Sequence, residues 1–223
     1  MLMSVFWRGQ HWILTSWGIT STIKKIFAEI CSISYEQDGV IFYIDTLRTD
    51  EIAIEKKYPG VRLTLTASLD TIRQYVSMDI GFGDVITPSP SELDYPNLLD
   101  GFPNTDIMAY SLETVVAEKF QTMISRAETN SRMKDFYDLY TILQGGKYNA
   151  EILDEAIKAT FKNRQTNYME NHVAFSLAFA KNSNLNIRWN AFMKKLKIPT
   201  QLTFFEVMDY LQVKLKPYWE NLK

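Results

Sequence analysis

Residues 58–67 read YPGVRLTLTA, and from Val61 onward apolar and polar side chains alternate strictly. An extended chain places successive side chains on opposite faces, so one face of this stretch is apolar and the other is polar. The apolar positions are Val61, Leu63, Leu65 and Ala67. The sequence therefore predicts a strand that is buried on one face and solvated on the other.

Similar patterns lie on both sides of this strand. GVIFYIDTL (39–47) and QYVSMDIGFGDVIT (74–87) are rich in β-formers and punctuated by Gly or Asp, which predicts two further strands. Apolar residues at helical spacing predict an amphipathic helix over 20–33. Residues 88–105 hold four of the seven prolines, which predicts a long loop.

After Met108 the pattern becomes helical. Ser111 and Ser131 are the predicted N-caps of two helices, and the second ends at Gly145-Gly146. Further helices are predicted at 150–162, 171–181, 186–196 and 203–215, the last opened by a capping box of Thr203 and Glu206, with Pro199 and Pro217 as breaks. A strand-rich half followed by a helical half predicts an α+β fold rather than an alternating doubly wound sheet.

Composition limits the classes of function. The 223 residues carry a net charge of -2, so contact with nucleic acid would need a local basic patch. The sequence has no run of about 18 apolar residues, which excludes a transmembrane helix. We therefore expect that the protein has no membrane partner. The single cysteine, Cys31, cannot form an internal disulfide, which fits the cytoplasm, and it is predicted to be a small buried hydrophobe.

The stretch MDIGFGD (78–84) contains the first candidate site residue. Asp79 lies at the end of an apolar strand, where Gly81 and Gly83 allow the backbone to turn closely around it. Such a carboxylate suits a magnesium site, because hard cations prefer oxygen ligands. The alternative is an ordinary turn in which Asp84 caps a backbone amide.

Two helical stretches contain the other candidates. In SLETVVAEKF (111–120), Lys119 emerges beside the buried stripe, so it must either extend to solvent or meet an anion such as a nucleotide phosphate. In SRMKDFYDLYTIL (131–143), Arg132, Asp135 and Asp138 line one flank of the helix. Either Asp135 pairs with Arg132 on a solvated face, or an aspartate holds Lys119 or a substrate group in place.

Together, YPGVRLTLTA, MDIGFGDVITPSP, YSLETVVAEKFQTMISR and SRMKDFYDLYTIL resemble the AbiEii/AbiGii toxin family of nucleotidyltransferases, over roughly residues 20–145. The resemblance implies the minimal nucleotidyltransferase fold of the DNA polymerase beta superfamily, extended by a helical region. It also implies a toxin of a toxin–antitoxin pair, several of which serve phage defence by abortive infection. The implied partners are a cognate antitoxin, a nucleoside triphosphate (GTP or CTP) with Mg²⁺ and, in some members, a tRNA acceptor.

The resemblance also assigns roles to residues. It implies that Asp79 is the third metal-binding carboxylate of the superfamily and that Lys119 lies near the triphosphate, with Arg132 as a further nucleotide-binding residue. Asp135 matches the later catalytic aspartate, and Asp138 is the second candidate for that role.

One family motif is missing. The family's Arg-Pro-Thr-x-Asp-Ile-Asp strand should precede the helix at 20–33, but RGQHWILTSWG (8–18) occupies that place, and no acidic residue precedes Glu29. Trp7, Trp12 and Trp17 recur every five residues, so they share no face as an interfacial anchor would require.

A shifted reading frame accounts for the missing motif. In the frame that joins the last base of each codon to the next two, His11–Trp12 must give Leu, Trp12–Ile13 must give Asp and Trp17–Gly18 must give Gly. The other six junctions permit the remaining residues of Pro-Thr-Leu-Asp-Ile-Asp-Phe-Leu-Gly. This sequence is the missing strand in its expected place. We therefore predict an aberrant segment over 1–19, a partial nucleotidyltransferase domain over 20–110 and a helical region over 111–223. In this hypothesis the chain is an N-terminally truncated, catalytically impaired transferase.

Other interpretations remain open at the level of sequence. A non-catalytic remnant could retain binding of its antitoxin, or of RNA through helices at 150–215, or it could retain no role. That region interleaves basic and aromatic residues, a pattern that serves RNA contact or surrounds a buried stripe. They are Lys158, Phe161, Lys162, Arg164, Tyr168, Trp189, Phe192, Lys194, Lys195 and Lys197.

Overall fold

The computed structural model describes residues 16–33, 35, 38–54, 58–83, 85–97, 99–196 and 202–223. The chain divides into two compact units, Met1–Asp84 and Val85–Lys223. Each unit is built around its own hydrophobic core.

The first unit is a helix packed on an antiparallel sheet. Helix α1 (Ser16–Cys31) is followed by strands β1 (Val40–Ile54), β2 (Tyr58–Leu69) and β3 (Ile72–Gly81), in the order β1-β2-β3. The three predicted strands are confirmed, with β1 and β2 longer than expected and β3 ending at Gly81, six residues before its predicted end. The alternation over residues 61–67 is also confirmed, because Val61, Leu63, Leu65 and Ala67 are buried whereas the polar residues between them are exposed or half-buried. The buried core residues of this unit are Ile23, Leu47, Val61, Leu63 and Leu65.

Helix α1 begins at Ser16, four residues before the predicted start, so its first turn includes residues 16–19. The remainder of the proposed aberrant segment, with Trp7 and Trp12, lies outside the described residues. Cys31, at the end of this helix, is only half-buried rather than buried as predicted.

The second unit opens with a hairpin where the sequence predicted a loop. Strands β4 (Ser91–Tyr95) and β5 (Thr105–Ala109) pair antiparallel, with Ser91 opposite Ala109. The prediction was wrong because the hairpin is mostly exposed and polar, so it carries no buried alternation. The prolines of this region flank the paired strands and occupy none of the paired positions, which spares every ladder hydrogen bond.

Helices form the rest of the second unit. They are α2 (Leu112–Arg126), α3 (Met133–Gly145), α4 (Ala150–Asn163), α5 (Leu177–Ala180), α6 (Ser183–Leu196) and α7 (Phe204–Glu220). Short 3-10 turns at Ala127–Thr129 and Val173–Phe175 connect them, and the second turn and α5 replace the continuous helix predicted over 171–181. Aromatic rings dominate the core, including Phe120, Phe136, Trp189, Phe204 and Trp219.

Most helix ends follow their predicted caps. The Ser111 hydroxyl accepts a hydrogen bond from the Thr114 N–H, and Thr203 and Glu206 form the capping box. Gly146 ends α3 in the left-handed conformation at φ +63°. These observations confirm the local signals for α2, α3 and α7.

Two local predictions were wrong. Ser131 does not cap α3; instead the Asn130 side-chain oxygen accepts a hydrogen bond from the Arg132 N–H at 2.8 Å. Pro217 lies inside α7 rather than breaking it. Leu215 and Trp219, on either side of Pro217, are both buried, so tertiary packing outweighs the lost backbone hydrogen bond.

The architecture confirms the predicted α+β class with a helical C-terminal region. Within the described residues, no helix is both long enough and apolar enough to cross a membrane.

Candidate functional site: a charged cluster on two helices

Helices α2 and α3 bring Lys119 and Asp135 together. Val116 and Phe120, on either side of Lys119, are fully buried, so the lysine stem leaves the helix beside the core. Its ammonium lies 2.7 Å from Asp135 Oδ1 and donates a hydrogen bond to it. The Lys119 side chain is 16% exposed and that of Asp135 is 5% exposed. The lysine therefore meets an anion of its own chain instead of extending into solvent.

A second carboxylate shares the same ammonium. Asp138 Oδ2 lies 2.8 Å from Lys119 Nζ and 2.6 Å from Lys134 Nζ. Asp138 comes one helical turn after Lys134, so their i,i+4 spacing places both side chains on one face of α3. Lys134 is 63% exposed, which makes it the outermost cation of the cluster.

Arg132 completes the cluster at the start of α3. Its Nε lies 2.7 Å from Asp135 Oδ2, so Asp135 stands between two cations. The fully buried Asn130 holds the Arg132 backbone through its side-chain oxygen. Arg188 of α6 donates to the Asn130 carbonyl at 3.0 Å and fixes the same turn from the other side.

Burial and charge act in opposite directions on Lys119. Burial alone would lower the pKa of its ammonium, but the hydrogen bonds and charges of Asp135 and Asp138 outweigh this and raise the pKa above its ordinary value. Lys119 is therefore a permanent cation at neutral pH. The cluster contains three cations and two carboxylates, and the positive groups nearest to solvent are Arg132 and Lys134. An excess of positive charge at its outer side suits an incoming polyphosphate.

Asp79 is engaged elsewhere, in the first unit. Arg62 on β2 lies opposite Asp79 on β3 in the sheet register. The Arg62 Nε and Nη2 atoms donate to Asp79 Oδ1 and Oδ2, each at 2.7 Å. This bidentate hydrogen bonding is the main cause of a lowered pKa at Asp79, so the carboxylate is ionised but already paired.

The described residues do not supply a ligand set for Mg²⁺. Among them, no group of three or more His, Cys, Asp or Glu side chains is arranged to hold a metal ion. The Arg62 guanidinium donates hydrogen bonds to both Asp79 carboxylate oxygens. Its positive charge would repel a metal ion that approached the same carboxylate. Asp84 and residues 8–15, which make up most of the place of the missing motif, lie outside the described residues.

The basic and aromatic residues after 150 separate into two groups. Phe161 and Trp189 are buried in the core, and Arg164 donates a hydrogen bond to Gln121 at 2.9 Å. Lys158, Lys162, Lys194 and Lys195 are exposed, Tyr168 and Phe192 are partly buried, and Lys197 lies outside the described residues. The interleaving thus arises partly from a core stripe with a cationic rim.

Sequence reasoning identified most of the cluster. The structure brings Lys119, Arg132, Asp135 and Asp138 together, whereas Asp79 lies in the other unit. Their catalytic and nucleotide-binding roles stay predictions. The sequence reasoning missed Lys134, although its i,i+4 spacing to Asp138 was a readable signal. It also missed Asn130, whose side-chain oxygen accepts a hydrogen bond from the Arg132 N–H just before α3, a helix without a side-chain cap.

Comparison with known proteins identifies a family. The family model described as "Nucleotidyl transferase AbiEii toxin, Type IV TA system" matches residues 12–213. The matched range spans most of the chain, covers every candidate site residue and begins inside the proposed aberrant segment. Searches among curated proteins and among solved structures gave no match.

Proposed function

This chain belongs to the AbiEii nucleotidyl transferase toxin family of type IV toxin–antitoxin systems, and on that basis we propose that it binds a nucleoside triphosphate but has lost nucleotide transfer. Binding is assigned to the charged cluster of Lys119, Arg132, Lys134, Asp135 and Asp138. The loss of transfer is assigned to the lack, among the residues that the structure describes, of converging acidic ligands for Mg²⁺.

The outward cations of the cluster support triphosphate binding. Arg132 and Lys134 are 45% and 63% exposed, and each already carries one carboxylate contact that fixes its position. A guanidinium presents parallel N–H groups that match phosphate oxygens, and an ammonium adds a point charge. Lys119 lies deeper, where the two aspartates hold it. In this proposal Lys119 is a positioning residue that keeps Asp135 and Asp138, and through them Arg132 and Lys134, in place.

The pairing of Asp79 with Arg62 is the single observation that most directly supports the proposed loss of nucleotide transfer. Phosphoryl transfer in such enzymes needs metal ions that clamp the attacking and leaving oxygens, and these ions need several acidic ligands. Asp79 has both oxygens engaged by a guanidinium. The sequence before Glu29 contains no Asp or Glu that could replace the missing pair.

A transfer assay tests this proposal. The chain is incubated with Mg²⁺, α-labelled GTP or CTP and total tRNA, and the label in RNA and in protein is measured. A second chain has residues 10–18 replaced by Pro-Thr-Leu-Asp-Ile-Asp-Phe-Leu-Gly. We expect no transferred label from the first chain and Mg²⁺-dependent label from the second.

The matched control carries the same replacement with both aspartates changed to asparagine, which keeps length and shape but removes two charges. It should behave like the unchanged chain. Equal transfer by the unchanged and the replaced chains would overturn the proposal, because the existing residues would then suffice for catalysis.

Further properties follow from family membership and are proposed for this chain. The family belongs to toxin–antitoxin systems, so a cognate antitoxin is the expected partner, and a role in phage defence is the expected biological setting. The single cysteine, Cys31, supports a reducing cytoplasm.

A further inference from the structure

A cavity separate from the charged cluster lies between α4, residues 166–168 and the C-terminal end of the chain. Its volume is about 340 Å³, within the usual range for small-molecule sites. Lys158, Phe161, Lys162, Thr166, Tyr168 and Asn221 are among its lining residues. The cavity thus combines aromatic surface, ammonium groups and amide or hydroxyl groups on one concave surface.

Contacts to the core hold the walls of this cavity. The Tyr168 ring packs on Trp219 with ring centroids 5.2 Å apart, and Trp219 donates to the Met169 carbonyl. Thr166 Oγ1 accepts a hydrogen bond from Gln121 of α2 at 2.8 Å. Asn221 donates to Asp154 of α4 at 3.0 Å. These contacts give the site a preformed shape, which lowers the entropic cost of binding.

The Tyr168 ring is only partly buried and lines the cavity. The exposed Lys223 places its ammonium 5.4 Å from the centre of that ring. Because this ammonium is on a flexible exposed side chain, a planar ring could take its place over Tyr168 and leave the cation for a neighbouring phosphate.

The charges at the rim favour an anion. Asp154 pairs with Lys158 at 2.6 Å and so offsets one positive charge. Lys162 is exposed and forms no ion pair with any residue that the structure describes, so its charge remains available. A nucleotide could contact both groups at once, with its phosphate beside the Lys162 ammonium and its base over the Tyr168 ring.

We propose that this cavity binds one nucleotide, with its base stacked on Tyr168 and its phosphate contacting Lys162. The ligand is either a free nucleotide or a nucleotide within a single strand of RNA. This site differs from the triphosphate site proposed on α2 and α3. It provides a place where an RNA could be held, whether or not the chain transfers nucleotides.

Binding measurements test the site without any chemistry. Fluorescein-labelled oligouridylate of about eight nucleotides is titrated with the full chain in EDTA, and anisotropy gives the dissociation constant. We expect Lys162→Glu and Tyr168→Leu each to raise that constant about fivefold or more. Competition by UMP would show that a free nucleotide occupies the cavity, and site-dependent oligonucleotide binding without such competition would assign it to the strand.

Matched variants separate this site from general charge effects. Lys195→Glu makes the same charge change on α6, and Tyr168→Phe keeps the ring, so both should bind like the unchanged chain. Lys134→Glu tests the other location: weaker oligonucleotide binding by Lys134→Glu but not by Lys162→Glu would place the strand at the α2–α3 cluster and overturn the proposal. Circular dichroism checks that each variant is folded. If Tyr168→Leu unfolds, the conclusion rests on Lys162→Glu, because Lys162 is exposed and its replacement should not affect folding. Absence of binding by both oligouridylate and labelled UMP, or equal weakening by Lys195→Glu and Lys162→Glu, would overturn the proposal.

Discussion

Lys119 and Asp135 lie sixteen residues apart in the sequence, yet their charged atoms are 2.7 Å apart. The pair joins α2 to α3 and is largely removed from water. Asp135 also contacts Arg132, and Lys119 also contacts Asp138, so each member of the pair has two partners. This chain of contacts links the core of the second unit to the cations at its surface.

The first prediction concerns the unequal burial of the two aspartates. Asp135→Asn should lower the free energy of unfolding of the second unit by about 3 kcal/mol, because it leaves Lys119 short of a buried countercharge. Asp138→Asn should cost about 1 kcal/mol, since this carboxylate is 19% exposed and one of its partners is a surface lysine. Urea unfolding monitored by circular dichroism measures both. Equal losses would contradict the burial argument.

The second prediction concerns Glu113, which is 8% exposed and accepts a hydrogen bond from the Asn149 N–H at 2.8 Å. Burial alone would raise the pKa of this carboxyl, but hydrogen bonds to its oxygens outweigh burial, so the pKa lies below its ordinary value of 4.5. At pH 7, Glu113→Gln should cost about 1 kcal/mol of unfolding free energy, because the bond loses its charge.

The pH dependence of this cost follows from the lowered pKa. Ionised Glu113 contributes its full stability above pH 4.5 and loses it as pH falls through the lower folded-state value. The difference between the unchanged chain and Glu113→Gln should therefore narrow as pH falls below 4.5 and close once the pH lies below the folded-state pKa. A difference that does not narrow at any pH below 4.5 would show that ionisation of Glu113 is irrelevant.

The third prediction uses two adjacent glycines. Gly146 ends α3 at φ +63°, whereas Gly145 is helical, and a Cβ at either would meet no atom within 4 Å. Gly146→Ala should cost about 1 kcal/mol through backbone strain alone. Gly145→Ala should stabilise by about 0.5 kcal/mol, because it reduces the freedom of the unfolded chain. Thermal unfolding should shift in opposite directions, and a shared direction would contradict this assignment of the cap.

Local signals in the sequence predicted much of the fold. The alternation in residues 61–67 reports burial on one face directly, and Ser111, Thr203 and Gly146 act through neighbours only three or four residues away. Such short-range physics leaves a readable pattern. The hairpin of β4 and β5 leaves none, since its pairing depends on residues ten or more positions apart along an exposed segment.

The part of the candidate site that lies on one helix was predictable from sequence spacing, whereas its contacts between different elements were not. Arg132, Asp135 and Asp138 share one helix face by spacing alone. The contact of Lys119 with Asp135 depends on how α2 packs against α3, so the sequence left open whether the lysine meets solvent, a substrate or a carboxylate. The engagement of Asp79 by Arg62 depends on strand register, which spacing within either strand does not reveal.

Equilibrium binding of labelled GTP in EDTA tests the central claim, that triphosphate binding survives at the α2–α3 cluster where transfer is lost. We expect measurable binding by the unchanged chain and about tenfold weaker binding by Lys134→Glu, which reverses a charge expected to lie near phosphate. Lys195→Glu, with the same charge change on α6, should bind GTP like the unchanged chain. Absence of binding by both GTP and CTP, or equal binding by the two variants, would show that this cluster does not bind a triphosphate.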